Sequence, residues 1–96
     1  MKLPPSVQVG PFRYTVKAEQ ELEGDRWGHC DANWRLIALA KDMPPRQQTV
    51  TLLHEVIHAV DDVFNIDLKE PQVQELAHGL AQALGSMGAW PEVFER

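Results

Sequence analysis

Two histidines and a glutamate with the spacing of a metal site lie in residues 51–62, TLLHEVIHAVDD. His54 and His58 are four residues apart, so on a helix their imidazoles stand one turn apart on one face and can share one metal ion. Glu55 is turned to the side of that pair, where a carboxylate can hold a metal-bound water and accept its proton. Zinc lowers the pKa of such a water to about 7. The pattern H-E-V-I-H therefore predicts a zinc site with Glu55 as general base.

The surroundings of the pair indicate which surface of the helix carries it. At about 100° per residue, every strongly polar residue of 51–62 falls in one sector roughly 120° wide, and Gln47 falls in it too. We call this the polar sector; its members are Gln47, Thr51, His54, Glu55, His58, Asp61 and Asp62. The rest of the circumference is apolar, which is typical of a helix buried on several sides. The polar sector must then face a cleft, or it is a solvated face with two incidental histidines.

A catalytic zinc site usually has a third protein ligand and an open position for water. The candidates that follow the pair are Asp61, Asp62, Asp67, Glu70, Glu75 and His78. A second helix is expected to pack on the first through an apolar stripe of Val73, Leu76, Ala77, Leu80 and Leu84. Glu70 lies at the margin of that stripe and is favoured as the ligand. Glu75 lies on the opposite side and is expected to be solvated, while His78 is intermediate.

The elements that would position these side chains are short strands followed by helices. Strands are expected at residues 6–9 and 12–16, around a turn at Gly10-Pro11, and at 27–30 and 34–39; helices are expected at 46–64 and 71–85. Residues 19–26 are expected to form a loop. This order predicts an α+β fold: a small, mostly antiparallel sheet of three or four strands packed on the first helix, with the second helix supplying Glu70. The 96 residues suffice for a single domain, 1–96.

Charge and composition narrow the range of partners. The net charge is −5 with scattered Lys and Arg, which argues against nucleic-acid binding. No apolar run has the length of a membrane span, and the N-terminus lacks the pattern of a secretory signal. Cys30 is the only cysteine, which excludes a disulfide within the chain and favours a reducing compartment. We therefore expect a cytoplasmic protein that binds a peptide or protein, and neither nucleic acid nor membrane.

The segment HEVIH followed by EPQVQELA resembles the gluzincin metallopeptidases. It is most similar to the small ImmA/IrrE-type metallopeptidases and to the short HExxH proteins of phages and prophages. Glu70, Val73, Gln74, Leu76 and Ala77 stand at the positions of that family's E-x-x-A-(N/D)-x-F-A segment, and the likeness spans roughly residues 28–84. The resemblance implies a zinc metallopeptidase in which His54, His58 and Glu70 bind Zn²⁺ and Glu55 is the general base.

Two features depart from the family pattern. Gln74 stands where the family often has Asn or Asp, and Asp61 or Asp62 could supply the missing carboxylate by bonding to the other nitrogen of a ligand histidine. No single residue is assigned to stabilise the oxyanion, for which the candidates are Tyr14, His29 and His78.

Two other functions are compatible with these residues. In a catalytically silent zinc-binding regulatory or interaction protein of phage or prophage origin, Cys30 or His29 would close the metal site as a fourth ligand. Cys30 could also cap the open position as a latency device, or be a small buried hydrophobe. In a metal-free interaction domain, the anchors would be Trp27, Trp34 and Trp90, although tryptophans in so small a domain are more often part of the core.

The substrate of a peptidase would lie across the cleft in extended form. The strand at residues 36–39 is expected to offer an exposed edge to such a peptide. The tail, residues 88–96, is expected to pack on the body of the domain, and could fold over the cleft to place Glu92 or Phe94 near the metal.

Overall fold

A computed structural model describes residues 3–19 and 27–89 of the chain. Its elements are β1 (Ser6–Val9), β2 (Phe12–Glu19), β3 (Gly28–Asp31), β4 (Leu36–Ala40), α1 (Pro45–Phe64) and α2 (Glu70–Ser86). The strands precede the helices, and the predicted α+β fold class is confirmed. Of the loop expected at 19–26, only Glu19 is described, and it is the last residue of β2. The tail beyond Ala89 lies outside the described residues, and with it Trp90, Glu92 and Phe94.

The four strands form one mixed sheet in the order β1-β2-β4-β3. The β1/β2 and β3/β4 pairs are antiparallel, and β2 runs parallel to β4. The expectation that β4 offers an exposed edge is wrong, because β4 lies between β2 and β3. Its sequence LIALA suits a central strand, since Ile37, Ala38 and Leu39 are all buried. The edge strands are β1 and β3, and β3, whose sequence GHCD is more polar, lies at the edge next to β4.

α1 is the middle layer of the molecule, between the sheet and α2. Its sheet side packs into a core formed by Val9, Tyr14, Val16, Ile37, Leu39, Leu52 and Ala59. Its other side packs on α2 in a second cluster of Leu53, Ile57, Val73, Ala77 and Ala81. Burial on two sides is the reason that α1 is apolar around most of its circumference, as its sequence predicts.

α2 packs on α1 through smaller side chains than the sequence predicts. Val73 and Ala77 are buried as expected, but Leu76 and Leu80 are 44% and 43% exposed, and Ala81 is buried in their place. The helix is therefore rotated about its axis, so that its buried face is centred about 40° from Val73 on the side of Ala81. Glu70 lies about 60° from Val73 on that same side, and the rotation turns it towards α1.

Two tryptophans lie on the surface rather than in the core. Trp27 is 47% and Trp34 is 78% exposed, so the core role expected for tryptophans in so small a domain is wrong for both. Trp34 lies in a turn in which Oδ1 of Asp31 accepts hydrogen bonds from the backbone N–H groups of Asn33 and Trp34, at 3.0 and 3.2 Å. Neither helix of the described ranges is both long and apolar enough to span a membrane.

Candidate metal centre

A cleft of about 860 Å³ lies between β3, α1 and α2. The side chains that α1 contributes to it include Gln47, Thr51, His54, Glu55, His58 and Asp62. These are the residues of the polar sector, apart from Asp61. The polar sector therefore faces a cleft, which is the first of the two arrangements predicted from the sequence.

The structure brings together the three residues that the sequence selects as metal ligands. Nε2 of His54 lies 2.9 Å from Oε2 of Glu70, and Nε2 of His58 lies 3.2 Å from Oε1 of the same carboxylate. The two imidazole rings meet edge to face, with centroids 4.9 Å apart. One ligand atom from each residue lies within 4.8 Å of the other two, so this group could hold a metal ion.

The donor atoms are placed as a small divalent cation requires. A tetrahedral ion with bonds of about 2.0–2.2 Å keeps its ligand atoms roughly 3.4 Å apart. The two distances from histidine to glutamate fall a few tenths of an ångström below that value, so slight side-chain movement would admit an ion. Two imidazoles and one carboxylate would supply three protein ligands, one fewer than the four of a closed structural zinc site.

The protonation state of His54 also suits coordination. Burial lowers the pKa of His54 below its usual value, the carboxylate of Glu70 opposes that shift, and the nearby imidazoles of His58 and His78 add to it. The neutral imidazole is therefore the favoured form of His54 at neutral pH. Only that form has a lone pair available for a metal.

Glu70 owes its position to the local chemistry at the start of α2. It is the first residue of the helix, where an acidic side chain is favoured by the helix dipole. Pro71 follows it at a position where the missing N–H costs nothing. The side chain of Gln72 folds back, and its Oε1 accepts a hydrogen bond from the backbone N–H of Lys69 at 2.8 Å. These contacts fix the boundary of α2 at the ligand itself.

Glu55 is buried in the wall of the cleft against β3. Its side chain is only 7% exposed, and it lies beside Gly28. A Cβ atom at position 28 would stand 2.6 Å from Cγ2 of Thr51 and 2.9 Å from Oε2 of Glu55. Gly28 therefore allows β3 to approach α1 closely at the carboxylate. Gly28 is not among the site residues predicted from the sequence, although a glycine inside a short strand is itself a signal of close backbone approach.

We expect Gly28→Ala to destabilise the protein by about 1–3 kcal/mol, because the added methyl group must displace Thr51 and Glu55. Urea unfolding measures the change. The matched control is Gly79→Ala, since a Cβ there meets no atom within 4 Å and should stabilise α2 by about 0.5–1 kcal/mol. Equal stability of Gly28→Ala and wild type would show that β3 does not press on α1 at this point.

The remaining candidate residues fall into two groups. His29 and His78 line the cleft, and His78 shares a face of α2 with Glu70 and Gln74, which line it too. Tyr14 is only 1% exposed, lies in the core under α1, and does not line the cleft; its burial raises its pKa. Glu75 is exposed, as predicted.

Cys30 lies at the inner wall of the cleft and packs against the core between the sheet and α1. Burial, together with the carboxylates of Glu55, Asp62 and Asp31, raises the pKa of Cys30 to about 12. The protonated thiol therefore predominates at neutral pH. Among the described residues, the group that could hold a metal contains neither Cys30 nor His29.

Known protein families, curated proteins and solved structures were each compared with this chain. No family model, no curated protein and no solved structure matches it. The resemblance of HEVIH and the Glu70 segment to the gluzincin metallopeptidases stays a prediction.

Proposed function

We propose that this protein is a zinc-dependent metallopeptidase in which His54, His58 and Glu70 hold Zn²⁺ and Glu55 is the general base. One observation carries the proposal. Three ligand side chains from two helices converge in a cleft whose wall also contains a buried carboxylate that is not one of the ligands. A purely structural zinc site has no need of that carboxylate, and it is usually closed by a fourth protein ligand.

The donor set supports zinc as the ion. Imidazole nitrogen suits zinc and its neighbours in the first transition row, whereas Mg²⁺ and Ca²⁺ prefer sites made of oxygen atoms. When bound, zinc would polarise the peptide carbonyl and lower the pKa of water to about 7.

The residues of the chain would perform the proton transfers. Glu55 would accept a proton from the attacking water and deliver it to the leaving amine. Its burial against Gly28 restricts the directions in which its carboxylate can point, which favours one productive geometry. His29 and His78 line the same cleft and are the candidates to donate a hydrogen bond to the oxygen on which negative charge develops.

The position of β3 suggests how a substrate would bind. β3 is one of the two edge strands of the sheet formed by the described strands, and it borders the cleft beside Glu55. An extended peptide could add to that edge as a further strand, which would lay it along α1 and across the metal ligands. The substrate class that fits is therefore an unfolded peptide or an extended segment of a protein. A cytoplasmic location belongs to the same proposal and is supported by the single cysteine.

A catalytically silent zinc-binding protein is the second candidate. The observation that favours it is a row of exposed apolar side chains along α2 and at its C-terminal cap, namely Leu76, Leu80 and Met87, since such residues are common at binding surfaces. In that case zinc would bind to the same three ligands, and no peptide would be cleaved.

The test is to incubate the zinc-loaded protein with a mixture of unstructured peptides and to identify new termini by mass spectrometry. We expect new termini that disappear with a chelator and return when zinc is added. Stoichiometric zinc with no new termini would favour the silent zinc-binding protein. Failure to take up zinc would contradict both candidates.

A further inference from the structure

We propose that Asp61 is a positioning residue for the third metal ligand, and that it acts on Glu70 through the backbone that joins α1 to α2. The inference rests on the proposed metal site. Asp61 belongs to the polar sector, but unlike the other members of that sector it is turned to the helix connection. Its carboxylate Oδ1 accepts hydrogen bonds from the backbone N–H groups of Asp67 and Leu68, at 2.7 and 3.1 Å.

The backbone carbonyl of Asp61 contacts the first two residues of the same connection. The carbonyl oxygen of Asp61 accepts hydrogen bonds from the N–H groups of Asn65, which caps the C-terminus of α1, and of Ile66, the latter at 3.1 Å. Asp61 therefore accepts hydrogen bonds from four of the five residues between the helices, two through its backbone carbonyl and two through its side chain.

The connection needs such an anchor because its conformation is not one that the chain prefers. Asn65 and Asp67 both have left-handed backbone angles, with φ of 56° and 74°. Asn and Asp enter that region more readily than other residues with a side chain, but the conformation still has a cost that local contacts must offset. At Asp67 the compensating contact is the 2.7 Å hydrogen bond that its own N–H donates to the carboxylate of Asp61.

The anchor ties Glu70 to the helix that carries the two histidines. Asp61 lies three residues after His58, within one turn of α1, and Leu68 lies two residues before Glu70. His58 and Glu70 are thus connected through one helical turn, the pair of hydrogen bonds accepted by the Asp61 carboxylate, and two peptide units. Loss of the Asp61 carboxylate would free the segment that places Glu70, while His54 and His58 would stay fixed within α1.

The test is the zinc affinity of the full chain, measured by competition with a chromophoric chelator. We expect Asp61→Ala to weaken zinc binding roughly tenfold or more, as is usual when the support of a ligand is removed. Asp61→Asn should lose less zinc affinity than Asp61→Ala, because its amide oxygen can still accept both hydrogen bonds. Asp62→Ala is the matched control: it removes the same charge from the next residue, which makes no such bonds to the connection, and a smaller loss is expected.

A double-mutant cycle separates positioning from a general effect on the fold. If Asp61 acts through Glu70, Asp61→Ala should cause no further loss of affinity in a Glu70→Ala background. An equal loss in both backgrounds would overturn the inference. If Asp61→Ala does not fold without metal, as judged by circular dichroism, the same cycle is built with Asp61→Asn. Unchanged affinity in Glu70→Ala alone would instead refute Glu70 as a ligand, and this inference with it.

Discussion

Glu55→Gln is expected to bind zinc as wild type does and to hydrolyse peptides about 10²- to 10⁴-fold more slowly. The amide has nearly the shape of the carboxylate, so it should fit the same buried position beside Gly28. It cannot accept a proton, and the step assigned to Glu55 would be lost. The ligand group of His54, His58 and Glu70 does not include residue 55, so the metal should remain.

Two measurements on the same preparation check this expectation. Zinc content is determined by mass spectrometry, and the rate of appearance of new peptide termini is determined at one pH. Glu75→Gln is the matched control, because it makes the same change at an exposed position of α2 and should alter neither quantity. If Glu55→Gln hydrolysed peptides at the wild-type rate, and a chelator abolished that activity, another group would be the base.

Glu70→Ala is expected to lose most of the stabilisation that zinc gives to the wild type. Zinc at about 100 times its dissociation constant stabilises a folded protein by about 2.7 kcal/mol. For a domain of this size, that corresponds to a rise in Tm of roughly 10–20 °C. With Glu70 removed, the two histidines alone would bind zinc more weakly, and the rise at the same zinc concentration would shrink.

The metal-free protein should be almost unaffected by the same substitution. The side chain of Glu70 is 56% exposed, and ion pairs of exposed side chains add little to stability. Thermal unfolding with and without zinc therefore isolates the role in metal binding. Glu75→Ala, on the same helix but outside the cleft, should keep the full shift. An undiminished zinc shift in Glu70→Ala would show that the third ligand is another residue.

The sequence by itself determined the placement of the histidine pair on one face of α1 and the order of the secondary-structure elements. The geometry of His54 and His58 follows from the period of one helix, which local sequence specifies. The hairpin of β1 and β2 follows from Gly10-Pro11 and from the alternation of polar and apolar residues in β2. The apolar circumference of α1 predicted burial on several sides, and the polar sector faces a cleft as a metal site requires.

Only the tertiary structure decided how these elements meet. The rotation of α2 depends on which side chains fit against Leu53 and Ile57, and small residues there leave Leu76 and Leu80 exposed. The periodicity of α2 alone accommodates either rotation, because apolar residues cover both sides of Val73. Strand order depends on hydrogen bonds between distant segments, which no local pattern encodes. Gly28 contacts Thr51 and Glu55 across the fold, and Asp61 contacts a helix connection whose backbone angles no local pattern specifies, so the sequence identified their residue types but not what they touch.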